Sequence, residues 1–100
     1  MKVIFIAAAR QELQSAIVHY NAQRPTLGDE CKEEVDAPID RIEFWPNAWS
    51  QAPPNARVCK TKRFPYGIVY LVDPEIIIIA KAHLHRCQGY WKKRLKDLGP

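Results

Sequence analysis

The sequence predicts an α+β fold, with an N-terminal strand and an αα-hairpin packed on a small antiparallel β-sheet and a short C-terminal helix. Three observations predict it. Apolar residues recur at helical spacing from about Ala8 to Ile42. They give way to strand-like runs between Arg57 and Ala82. Prolines sit where such elements must turn, at Pro25 and in Asp73-Pro74.

Val3-Ile4-Phe5-Ile6 reads as a first strand and not as a signal peptide, because Arg10, Gln11 and Glu12 follow the apolar run with no spacer. In the first helix Leu13, Ala16, Ile17 and Tyr20 form one face, and Arg10, Gln11, Gln14 and Asn21 the other. Pro25 ends it. Thr26 is placed to cap a second helix, with Asp29 and Glu30 adding negative charge to its first turn. The apolar stripe there is Cys31, Val35, Ile39 and Ile42, and the outer face is acidic. Pro38 falls within this pattern and is expected to kink or split the helix, since it lacks a backbone donor.

Phe44 to Asn55 holds three prolines and two tryptophans and reads as a loop anchored by its indole rings. Arg57 to Phe64 alternates as a strand, and Pro65-Tyr66 makes a bend. Gly67 to Val72 is apolar on both faces, as a central strand is. The Asp73-Pro74 turn leads into a last strand, Glu75–Ala82. Tyr90 to Leu98 reads as a short basic helix or tail.

A chain of 100 residues makes one domain, residues 1–100. No stretch approaches the roughly 20 apolar residues that span a bilayer, so no membrane association is expected. Cys31, Cys59 and Cys87 are odd in number and widely spaced, which points to reduced thiols and a cytoplasmic protein. His83, His85 and Cys87 make one potential ligand cluster with no second half, so neither a metal nor another cofactor is expected.

Charge is divided along the chain. Residues 1–55 hold five Lys/Arg against eight Asp/Glu, and residues 56–100 hold ten against three. The basic half suits a polyanion or an acidic partner. Strand alternation puts Arg57, Cys59, Thr61 and Arg63 on one face, and Lys60 and Lys62 with Val58 and Phe64 on the other. His83, His85 and Arg86 follow the last strand, where imidazoles titrating near neutrality could serve as acid or base. Tyr90 and Trp91 serve either core packing or base stacking. Lys92, Lys93 and Arg94 form a basic run that could touch nucleic acid or a target protein.

The order of elements, together with Arg63-Phe64-Pro65-Tyr66-Gly67-Ile68-Val69-Tyr70 and then Ala82-His83, Arg86 and Gly89-Tyr90-Trp91, resembles the RelE/ParE superfamily of bacterial toxins and plasmid-stabilisation proteins. Weaker points of similarity are Ala9, Glu12-Leu13, the Ala16…Tyr20 helix face, Leu27-Gly28, Val35, Ile42 and the Pro46…Trp49 pair. The resemblance runs from Phe5 to Trp91. It implies the toxin of a type II toxin–antitoxin module, neutralised by a cognate antitoxin.

Two mechanisms follow from the resemblance. ParE-like members bind and poison DNA gyrase. RelE-like members cleave mRNA in the ribosome, with cations and a Tyr or His in the roles that metal-free cleavage needs. For the nuclease, Arg63, His83, His85, Arg86 and Tyr90 are the candidate catalytic residues. For target or nucleic-acid binding the candidates are Arg57, Lys60, Lys62, Trp91, Lys92, Lys93 and Arg94. Gly67 stands where RelE-like toxins carry an Arg, which favours the binding inhibitor. An inactive orphan member is the third reading.

Overall fold

The computed structural model describes residues 2–52, 55–72, 75–83 and 89–97. In it the N-terminal apolar run forms β1 (Val3–Phe5), and the two helical patterns form α1 (Ala7–Gln23) and α2 (Leu27–Phe44). There follow β2 (Ser50–Ala52), β3 (Ala56–Lys60), β4 (Tyr66–Val72), β5 (Ile76–His83) and α3 (Lys92–Asp97). The strands form one five-stranded sheet in the order β1-β5-β4-β3-β2. The α+β class is as expected. The sheet, however, is mixed: β2 to β5 form an antiparallel meander, while β1 runs parallel to β5 with Val3 opposite Ile76.

The helical hairpin forms where the apolar periodicity places it. Ala9, Leu13 and Ala16 of α1 are buried, as are Cys31, Val35, Ile39 and Ile42 of α2. The two helices approach closely at Gly28. A Cβ there would lie 2.2 Å from the Ile17 carbonyl oxygen, so only glycine allows this spacing.

The expected Thr26 cap does not form. Thr26 adopts a left-handed conformation (φ 68°) and its side chain makes no capping bond. The first turn is served from the neighbouring helix instead, where Asn21 Oδ1 accepts from the Gly28 amide at 2.7 Å. Pro38 does not split α2. Its side chain is fully buried, and that apolar contact offsets the missing backbone bond.

Both faces of the sheet are covered, which explains the unbroken apolar runs of β4 and β5. On the hairpin side Cys59, Ile68, Tyr70, Ile76 and Ile78 pack against Leu13, Val35 and Ile42. On the other side Val69, Ile79, Ala80 and Trp91 form a second core, joined by Leu95 of α3. A register shift sets Tyr70 opposite Ile78 and Val69 opposite Ala80, so Ile79 bulges out of the ladder. Both Ile79 and Ala80 therefore reach the same core.

The segment read as a loop from Phe44 is shorter than expected, because α2 runs through Phe44 and Ser50–Ala52 pairs as the edge strand β2. Trp49 is half-buried against the hairpin-side core, as an anchor should be, whereas Trp45 is 60% exposed. Tyr70 ties this segment down: its hydroxyl donates to the Pro46 carbonyl at 2.6 Å. Burial pushes the Tyr70 phenol up to about 12, against an opposing pull from Arg57.

Candidate functional site

β5 continues past the end of β1, so its outer edge beyond Ile78 has no strand neighbour among the described residues. Side chains satisfy that edge instead. Glu12, on α1, accepts from the Lys81 amide at 3.1 Å. The same carboxylate takes a paired contact from Arg94 of α3 (Nη1–Oε1 2.9 Å, Nη2–Oε2 3.2 Å) and the Tyr90 hydroxyl at 2.5 Å. Arg94 Nη1 also donates to the carbonyl of Ile79, the residue that the register shift leaves out of the ladder, at 2.9 Å. One carboxylate thus joins α1, β5 and the C-terminal segment.

This arrangement decides what Tyr90 and Arg94 can do. Burial, then the Glu12 contact, pushes the Tyr90 phenol far above its usual range, so it stays protonated at any physiological pH. Glu12 likewise raises the Arg94 guanidinium. Trp91 is buried in the second core and offers no face for stacking. Lys92 and Lys93 are exposed on α3.

Arg63 follows β3 in the turn toward β4 and is held by α2. Its Nη1 lies 2.6 Å from Glu30 Oε1, and its amide donates to Glu34 Oε1 at 2.6 Å. The Arg63 hydrogen bond is the main reason that the Glu30 carboxyl sits below its usual range, with Arg24 helping. Thr61, buried within this turn, donates to the Phe64 carbonyl and accepts from the Tyr66 amide.

His83 ends β5 and meets the Tyr66 ring edge-on at 5.7 Å. Lys81 Nζ stands 3.8 Å from the centre of that ring, and the Tyr66 hydroxyl bonds that of Tyr20 at 2.7 Å. These groups line an open groove of about 580 Å³ between α1 and β5, with Glu12 and Arg94 at its rim. The described candidate catalytic residues therefore divide: Arg63 is bound to α2, Tyr90 to Glu12, and His83 lines the groove. His85 and Arg86 lie outside the described residues.

A second groove, of about 400 Å³, lies between α2 and β3. Val58, Cys59 and Trp49 give it apolar walls, and Arg41, Lys60 and Lys62 supply its charge. Arg41 lies over the Trp49 ring at 5.9 Å and donates to the Lys60 carbonyl at 3.1 Å. Arg57 is nearby but committed, donating to the Trp49 carbonyl at 2.8 Å. Sequence reasoning found Lys60 and Lys62 and missed Arg41, which with Lys32 is one of two cations on a largely acidic helix. It also gave no role to Glu12, Tyr20, Tyr66 or Lys81.

Among the described residues no cluster of His, Cys, Asp and Glu is placed to hold a metal ion, and no helix is long and apolar enough to cross a membrane. The cysteines within them, Cys31 and Cys59, are buried thiols.

A helical hairpin on one face of this mixed sheet, with a short helix on the other, defines the RelE/ParE-like fold class. A particular match bears this out. A chain from the solved chromosomal ParDE TA system of P. aeruginosa superposes with a TM-score of 0.74 at 18% identity, over 85% of this chain and 97% of that one. The likeness is one of fold. No protein-family model matches the sequence, and no curated protein does.

Proposed function

We propose that the chain is the toxin of a type II toxin–antitoxin module, a growth inhibitor that acts in the bacterial cytoplasm by binding a macromolecular target of the DNA-gyrase type. A cognate antitoxin neutralises it. The observation that carries this reading is the fold shared with a chain of a ParDE system along 97% of that chain.

The state of the candidate catalytic groups favours binding over cleavage. A nuclease needs cations free to meet phosphate charge and an acid or base near neutrality. Arg63 is paired with Glu30, and the Tyr90 phenol, bonded to Glu12, is raised out of the useful range. Gly67 adds no charge to the middle of the sheet. Exposed Lys92 and Lys93 on α3 serve as target contacts in this reading.

The mRNA endoribonuclease is the second reading, and the placement of His83 in the α1–β5 groove is what favours it. Expression in cells lacking an antitoxin separates the two. Filamentation with a DNA-damage response and intact mRNA supports the gyrase-type inhibitor. Translation arrest with new 5′ ends in ribosome-bound mRNA overturns it in favour of the nuclease. Normal growth with folded protein present identifies an inactive orphan.

A further inference from the structure

The groove between α1 and β5 is walled by two polar stripes that the growth-inhibitor reading leaves unused. We propose that it binds a small phosphorylated compound, a phosphate monoester held between those stripes. The proposal goes beyond the growth-inhibitor reading and asks no proton transfer of His83.

The stripes follow from the periods of their elements. On α1, Gln11, Ser15 and His19 stand four residues apart, so they lie along one side of the helix, and all three are exposed. On β5, Lys81 and His83 stand two apart and share a face. Both sets line the groove. Every one of these side chains can donate a hydrogen bond, and Lys81 adds a positive charge. Glu12 is the one carboxylate among the described lining residues. Its charge is met by Arg94, and its oxygens already accept from Arg94, the Tyr90 hydroxyl and the Lys81 amide. The described walls are therefore rich in donors and net positive, which suits an anion.

Geometry and size select the anion. The donors stand on both walls, and a tetrahedral phosphate can turn oxygens to each, whereas a planar carboxylate presents its two to one side. Ala8 and Ala16 leave a small apolar strip for the organic part of the ester. A volume of about 580 Å³ lies in the range of small-molecule sites. Stacked bases are poorly served. Lys81 lies over the Tyr66 ring at 3.8 Å, and Phe64 lies nearly parallel to that ring. The Tyr20 ring is engaged by Phe64 and by His19. Single-stranded nucleic acid binds through open aromatic faces, so it fits this groove less well than a compact ester does.

The test is isothermal titration calorimetry of the intact chain with phenyl phosphate, against benzoate, inorganic phosphate and a 5′-phosphorylated oligothymidylate. Phenyl phosphate should bind saturably and tightest of the four. Lys81→Gln should weaken its binding by roughly tenfold or more, through loss of a charge-assisted bond. Ser15→Ala with His19→Ala changes exposed positions of α1 and should keep the wild-type circular dichroism. That variant should weaken binding by roughly fivefold, and it decides the matter if Lys81→Gln does not fold. Lys32→Gln removes the same charge from α2 and should leave binding unchanged. No saturable binding of phenyl phosphate, equal binding of benzoate or inorganic phosphate, or tighter binding of the oligonucleotide overturns the proposal. So does equal loss in Lys32→Gln, or full binding in the α1 variant or in a folded Lys81→Gln.

Discussion

Replacing Glu12 should do more damage than its place on an exposed helix implies. Its carboxylate accepts from the Lys81 amide, the Tyr90 hydroxyl and both terminal nitrogens of Arg94. The Glu12 and Arg94 side chains are 22% and 21% exposed, so the pair is neither at the surface nor fully dry. At an effective dielectric near 20, opposite charges about 3–4 Å apart attract by roughly 4–5 kcal/mol. Desolvation cancels much of that, leaving a net contribution of about 1–3 kcal/mol for the charge pair.

Glu12→Gln keeps an acceptor for the Lys81 amide but loses the charge, and should cost about 2 kcal/mol. For a domain of this size that corresponds to a fall in Tm of roughly 8–16 °C. Glu12→Ala leaves the Lys81 amide and Arg94 unsatisfied as well, and should cost about 3–4 kcal/mol. The assay is urea unfolding of Glu12→Gln, Arg94→Gln and the double variant, which together form a double-mutant cycle. A coupling of about 1–3 kcal/mol is expected, with faster amide exchange in α3, whose six residues cannot hold a helix alone. Coupling below about 0.5 kcal/mol, with α3 exchange unchanged, would refute the reasoning.

The remaining predictions concern the hairpin, the anchored segment and the Arg63 turn. Gly28→Ala sets a methyl against the backbone of α1 and should lower stability by about 2–3 kcal/mol or more, measured by urea unfolding. Tyr70→Phe removes the bond to Pro46 and should cost about 1–2 kcal/mol. The Tyr70 phenol titrates higher folded than unfolded, so its contribution is complete below about pH 10 and is lost as pH rises toward about 12. Unfolding at alkaline pH should therefore show a steeper loss in the intact chain than in Tyr70→Phe. Glu30 titrates lower folded than unfolded, so its contribution is present above its ordinary value of 4.5 and is lost as pH falls through the folded value. Acid unfolding curves of Glu30→Gln should be shallower in that window, and a curve parallel to the wild type would count against the Arg63–Glu30 contact.

Local chemistry made the helices readable: Leu13, Ala16, Cys31, Val35 and Ile42 repeat at helical spacing, and Pro25 separates the two runs. The central strands were legible for a similar reason, since an apolar run such as Ile68–Val72 has few other places to go. β2 escaped notice because Ser50-Gln51-Ala52 has no alternation and lies among prolines, so pairing with β3 alone makes it a strand. The parallel seat of β1 depends on β5, at the far end of the chain, and no local pattern announces it. The site was less legible than the fold. Tyr90 and Arg94 looked like candidates for catalysis and nucleic-acid contact because their anion, Glu12, precedes them by 78 and 82 positions. Arg63 misled similarly, its partner Glu30 lying on a helix whose acidic residues look alike in sequence.

The pairing of β1 with β5 also bears on how the molecule is made. Among the described strands β1 is made before the others, and it meets its partner β5 only after both helices and β2 to β4 have been synthesised. The hairpin of α1 and α2 is local and can form early, whereas β1 must wait with its apolar residues unpartnered. The sheet therefore closes at this edge last, and anything delaying that step leaves Ile76–Ile78 open to another chain's strand. A truncation that deletes β1 should yield a protein with its hairpin formed but prone to aggregate along β5, and a bulky N-terminal fusion should burden the same late step.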